Sequence, residues 1–175
     1  MSELDFLAGC YAAGAKSAFD IMSAQAYGLG QPPDEHRYVR LRWHPLRPFA
    51  DLDRPLDTRI DVSRIVMLRE VMAHAGDSQK AVWVSEFGYN SAPDSIPWAQ
   101  RTLWGPPVTE HQKGSYIVAQ MDRARREWPW LGVMNVWMLR WGGPPADPAN
   151  PTPYFALVAP DFTPFAGFAT VQHAL

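Results

Sequence analysis

Residues 80–90 read "KAVWVSEFGYN": the apolar run Ala81–Val84, then Ser85, then the carboxylate of Glu86, with a break at Gly88. A short segment rich in β-branched and aromatic residues and closed by a glycine is a strand signal. A strand that ends on an acid has two readings. Glu86 is either a surface glutamate capping the following turn or a catalytic carboxylate at the mouth of a sheet. If Glu86 points to the inner side, the twofold period of a strand puts Val82 and Val84 there with it, with Trp83 and Ser85 toward the helices.

The flanking sequence alternates between the two periodicities. Upstream, Val62, Ile65, Leu68 and Met72 recur at helical spacing over 62–75, with Asp61 placed to cap the start and Gly76 beyond the end. Downstream, a loop over 89–108 carries Trp98 and Trp104. Thr109 with Gln112 then forms a capping box, and Ile117, Met121, Ala124 and Trp128 mark the buried stripe of a helix closed by Pro129. "LGVMNVWMLRW" at 131–141 is a further strand, stopped by Gly142 and Gly143, and a last helix is expected over 164–175.

Further out, Leu4, Leu7, Ala8 and Tyr11 predict a helix over 4–14, and "AFDIMSAQAYG" at 18–28 reads as a buried strand ending at Tyr27. Residues 29–60 form a long loop rich in proline and charge. Helices and continuous apolar strands thus alternate through the chain. That order predicts an α/β fold of parallel strands covered by helices, with chemistry at the carboxyl ends of the strands. Tyr27, Glu86 and the segment Trp137–Trp141 occupy those ends.

Composition narrows the class. A length of 175 residues, 47% hydrophobic, with a net charge of -2, reads as one soluble globular domain over 1–175 and gives no basic surface for nucleic acid. No apolar stretch approaches the ~20 residues of a membrane helix. The lone Cys10 cannot form an internal disulfide and reads as a buried structural thiol; localisation stays open. His36, His44, His74, His111 and His173 show no paired ligand spacing, so neither a metal nor a cofactor is expected. The basic stretch "RYVRLRWHPLR" at 37–47 is read as a solvated loop face. Eight Trp and 17 Pro fit an aromatic sugar-binding site in irregular loops as well as they fit an aromatic core with surface turns.

"VWVSEFGYN" resembles the seventh-strand signature of clan A glycoside hydrolases, the cellulase-like family five and its xylosidase-like relatives, where a strand ends in Glu-Phe-Gly and an aromatic residue. "CYAAGAKSAFDIMSAQAYG" is similar to the fifth helix and sixth strand of that family, "WPWLGVMNVWMLRW" to the eighth strand, and "YFALVAPDFTPFAGFATVQHAL" to the closing turn and eighth helix. The resemblance implies a partial (β/α)8 TIM barrel, about strands six to eight with their helices. It further implies retaining hydrolysis of O-glycosidic bonds with Glu86 as nucleophile. By the same resemblance Tyr27 orients Glu86 or a sugar hydroxyl, and Trp137 supports the sugar at the point of cleavage, with Trp141 and Arg140 as further substrate contacts. From the residues alone, Tyr27 is equally a tyrosine holding a loop, Trp137 barrel core, and Arg140 the partner of a surface carboxylate.

Three departures qualify what is implied. The family's acid/base glutamate follows an asparagine, and no Asn-Glu pair occurs in these residues; a whole barrel takes about 250 residues. Gln25 stands where relatives often carry a histidine. Asp34, Glu35 and Asp94 lie on loops without anything to position them as substitutes. The expectation is therefore the C-terminal part of a hydrolase, inactive alone, with a carbohydrate as its substrate and with self-association or docking to an N-terminal half-barrel. The alternative is a non-catalytic carbohydrate-binding or interaction module.

Overall fold

The computed structural model describes residues 2–34, 61–143, 147 and 150–175. Helix α1 (Glu3–Ala12) opens the chain, its first turn closed by the Ser2 hydroxyl accepting from the Asp5 amide. A 3-10 turn (Ala15–Ser17) leads to strand β1 (Met22–Gln25), after which helix α2 spans Arg64–His74 and strand β2 Val82–Phe87. A short helix α3 (Trp98–Arg101) lies in the next loop, followed by α4 (Glu110–Glu127), strand β3 (Leu131–Val136) and α5 (Ala166–Ala174). Among the described residues no helix is long and apolar enough to cross a membrane.

The three strands form one parallel sheet in the order β1-β2-β3. The α/β fold with parallel strands in sequential order is thus present, as three successive strands of a barrel require. Its core lies between the sheet and the helices. Leu4 and Leu7 of α1, Ile65, Leu68 and Met72 of α2, and Ile117, Met121 and Ala124 of α4 are buried there with Trp128. Burying each such large side chain contributes about 1.5–3 kcal/mol. The capping box of α4 forms as its sequence demands, with the Thr109 hydroxyl accepting from the Gln112 amide and the Gln112 side chain accepting from the Thr109 amide.

Several boundaries differ from the sequence reading. Asp61 does not cap α2 directly. Its Oδ1 accepts from the Ser63 amide at 2.7 Å and its carbonyl from the Arg64 amide at 3.1 Å, so it closes a turn just before the helix begins. The third strand stops at Val136 instead of running to Trp141; the Trp137–Met138 peptide is cis, and Arg140 bridges to Val158. The last helix starts at Ala166, two residues later than expected. Of the 29–60 loop, residues 35–60 lie outside the described residues, and with them Glu35, His36, His44 and the basic stretch 37–47.

The sidedness of β2 is the main correction. Val82 and Val84 are fully buried in the core with α2 and α4, whereas Trp83 is 41% exposed and Ser85 is exposed too. The valines therefore face the helices, and Trp83 and Ser85 the open side. The cause is a β-bulge. Ala24 opposes Val84, but the next residue, Gln25, opposes Glu86, so Ser85 and Glu86 together face one position of β1. The extra residue breaks the twofold alternation, and Glu86 does not share the side of the two valines. Phe87 returns to the core, fully buried.

The open side is of mixed polarity among the described residues. Ser23, Gln25, Ser85 and Asn135 lie exposed on it beside Trp83 and Val133.

Candidate active site

Main-chain hydrogen bonds carry the register of the sheet beyond the strand ends. The Ala26 amide donates to the Glu86 carbonyl at 2.9 Å, and the Trp137 amide to the Phe87 carbonyl at 2.7 Å. Tyr27, Glu86 and Trp137 are thereby set side by side at the carboxyl end of the parallel sheet. A Cβ on Gly88 would lie 2.1 Å from the Trp137 carbonyl oxygen, so only glycine lets the chain after β2 pass this close to the end of β3. Beneath them the buried Gln120 side chain donates to the Ala26 carbonyl at 2.8 Å and accepts from the Tyr89 phenol at 3.0 Å.

Oε2 of Glu86 accepts two hydrogen bonds at 3.0 Å, one from the Tyr27 phenol and one from the Gln25 side-chain amide. Oε1 takes none from the described residues. Tyr27 is half-buried and meets the Phe155 ring edge-on, with centroids 5.8 Å apart. Burial first, and then the bond to Glu86, raise the Tyr27 pKa well above its ordinary value, so the phenol stays a protonated donor. Two neutral donors on one oxygen hold the carboxylate in a fixed orientation and leave its second oxygen for other chemistry.

These groups open onto a cavity of about 960 Å³. Trp137, Phe155, Leu103 and Trp104 join Tyr27 and Glu86 in its wall, and it continues along the outer edge of β1 to Ile65 and Leu68 of α2. Trp141 packs instead in a small cluster with Met138, Phe155 and Ala156, behind that wall. Arg140 lies elsewhere: it donates to the Pro160 carbonyl at 3.0 Å and its guanidinium stacks over Phe162 at 4.6 Å. The cavity therefore unites Glu86, Tyr27 and Trp137 but takes in neither Arg140 nor Trp141.

Other carboxylates near the cavity are committed. Glu3 is paired with Arg64, which holds its carboxyl below the usual range, and Asp61 is bonded to the Ser63 amide. Asp94 is exposed and pairs with Arg101, and Asp34 is exposed; neither borders the cavity. Among the described residues no group of three or more His, Cys, Asp or Glu side chains is placed to hold a metal ion.

Leu103 and Trp104 escaped the sequence reading as site residues because they sit on a loop, and Phe155 because it ends a one-turn 3-10 helix (Thr152–Phe155); neither setting has a periodicity that marks an inward face. Gln25 was visible only as the occupant of a histidine's usual place.

No protein-family model matches the chain, and no curated protein matches it. Among solved structures, a Bifidobacterium dentium β-glucuronidase complexed with coumarin-3-O-glucuronide is similar over 89% of this chain and 20% of its own, at 15% identity and a TM-score of 0.45. A Faecalibacterium prausnitzii β-glucuronidase is similar over 92% of this chain and 22% of its own, also at 15% identity and a TM-score of 0.45. The chain spans about one-fifth of the length of these two glycosidases. At that identity and TM-score the likeness carries no inference about substrate or residues.

Proposed function

We propose that this chain carries the nucleophile half of a retaining glycoside hydrolase acting on O-glycosidic bonds, with Glu86 as the nucleophile. The observation that carries the reading is the pair of donors on Glu86 Oε2, set at the carboxyl end of the middle parallel strand beside the Trp137 indole. In a retaining mechanism a carboxylate oxygen attacks the anomeric carbon while a second carboxylic acid protonates the leaving oxygen. Tyr27 and Gln25 hold Glu86 through Oε2, so Oε1 is the attacking atom. Trp137 offers a flat face for the apolar side of a pyranose.

No acid/base is in place among the described residues. Glu3 and Asp61, which border the cavity, are both engaged in other bonds. Those engagements also favour a second reading, a module that binds carbohydrate without cleaving it.

Hydrolysis of aryl glycosides separates the two. A nitrophenyl glycoside needs acid assistance, and its loss costs about 10²- to 10⁴-fold; a dinitrophenyl glycoside needs far less. The chain is expected to leave nitrophenyl glycosides and oligosaccharides uncleaved, and to release dinitrophenol slowly in a reaction that Glu86→Gln abolishes. Binding without any release supports the non-catalytic module. Robust cleavage of unactivated glycosides shows that the chain holds its own acid and overturns the half-site reading.

A further inference from the structure

The loop after β2 shows large apolar side chains to solvent at the mouth of the cavity: Leu103 is 62% exposed and Trp104 44% exposed, and both border the same space as Glu86. Exposed apolar groups that rim a concave site mark a binding surface. Their position is held by a reciprocal clasp. A Cβ on Gly105 would lie 2.1 Å from the Leu29 carbonyl oxygen, and one on Gly30 would lie 2.0 Å from that of Pro106. Both glycines have positive φ, +85° and +81° respectively, which few other residues adopt. The turn bearing Trp104 is thus locked onto the turn that leaves Tyr27.

Resting on the hydrolase reading above, we infer that Leu103 and Trp104 form a second platform for a ligand ring beyond the one held at Glu86. The ligand class is a glycoside with at least two rings, the second presenting a flat apolar face. Either a second sugar or an aromatic aglycone supplies such a face. Trp137 and Trp104 are then two separate supports in one cavity, the first beside the nucleophile and the second on the clasped loop. Aromatic contact of this kind adds about 0.5–1.5 kcal/mol, or roughly two- to tenfold in affinity.

The test is calorimetric titration with matched probes: methyl β-glycosides of glucose, mannose, xylose and galactose, the corresponding β-1,4-linked disaccharides, and the phenyl β-glycosides. The two-ring probe of at least one sugar should bind two- to tenfold more tightly than its methyl glycoside. That ratio should fall to about one in Trp104→Ala and be restored in Trp104→Phe. The side chain is half-exposed, so both variants should fold, as far-UV circular dichroism would check. A gain with disaccharides only names a second sugar as the ligand ring, and a gain with phenyl glycosides only names an aromatic aglycone. Equal binding of one- and two-ring probes, or a ratio that survives Trp104→Ala, overturns the platform and leaves the Glu86 reading standing. Binding of no probe at all by the folded chain counts against both.

Discussion

Glu86 depends on two neighbours one strand away, and each is separable by mutation. Tyr27→Phe removes one of two donors to Oε2 while keeping the ring that packs against Phe155. A hydrogen bond to a charged group contributes about 1.5–3 kcal/mol, so the rate of dinitrophenol release should fall roughly 10- to 100-fold. The bond is present in the resting fold, so thermal stability should fall too, by no more than that amount. Gln25→Leu should act in the same direction; an unchanged rate in both variants would mean that these donors do not organise the carboxylate.

A second residue-scale prediction concerns pH. The Tyr11 phenol donates to Asp77 at 2.8 Å, and burial together with that bond pushes its pKa from 10.0 to about 12. A folded-state pKa above the unfolded one gives stability that is fully present below the unfolded value and lost as pH rises through the folded value. Denaturant midpoints should therefore fall between about pH 10 and 12, and Tyr11→Phe should flatten that decline.

At the scale of elements, the segment that carries Phe155 to the cavity is tied to α4 by one buried cation. Lys113 is fully buried; its ammonium donates to Glu110, to Ser91 and to the carbonyls of Tyr154 and Ala156. Burial lowers its pKa, against the opposing pull of Glu110. Lys113→Met fills much of the same volume but leaves the Ala156 carbonyl without its donor and Glu110 without its cation, while Ser91 still donates to Glu110 and Tyr154; a buried acceptor that water does not reach costs about 1–3 kcal/mol. Urea denaturation should show the loss, and a midpoint within error of the parent would rule out the tie.

Element existence was legible from periodicity and caps: Ile117, Met121 and Ala124 sit where a helical stripe puts them, and Thr109 with Gln112 announced the start of α4. The facing of β2 was not. A bulge at Ser85–Glu86 leaves no mark in a run such as "VWVSEF", and parity counting from Glu86 consequently assigned Val82 and Val84 to the wrong side. The strand-end residues Tyr27, Glu86 and Trp137 were readable because parallel sheets gather their carboxyl ends. Leu103, Trp104 and Phe155 were not, since what brings them to the cavity is the contact of Gly30 and Gly105 and the anchoring by Lys113, both made between distant parts of the chain.

For the molecule as described, residues 35–60 aside, the sheet is covered by helices on one side and open on the other. Among the described residues β1 and β3 each pair on one edge only. Parallel sheets are ordinarily covered on both faces, and unpaired edges favour pairing with another chain. We expect association, either of two copies or with a separate half-barrel, and a specific contact should bury about 1,600 Å². Light scattering coupled to size exclusion should report a dimer or larger species. A sharp monomer peak with cooperative thermal unfolding would contradict that expectation.

The most direct measurement is covalent trapping. Substituting fluorine at the sugar C2 slows the breakdown of a glycosyl-enzyme, and a dinitrophenyl leaving group removes the need for an acid, so such reagents report the nucleophile alone. Incubation of the chain with 2-deoxy-2-fluoro dinitrophenyl glycosides of glucose, mannose, xylose, galactose and glucuronic acid, followed by intact-mass measurement and peptide mapping, should find one glycosyl group on Glu86 with at least one reagent. Glu86→Gln should remain unlabelled. A folded chain that no reagent labels, or a label on any other residue, would contradict the assignment of Glu86 as the nucleophile.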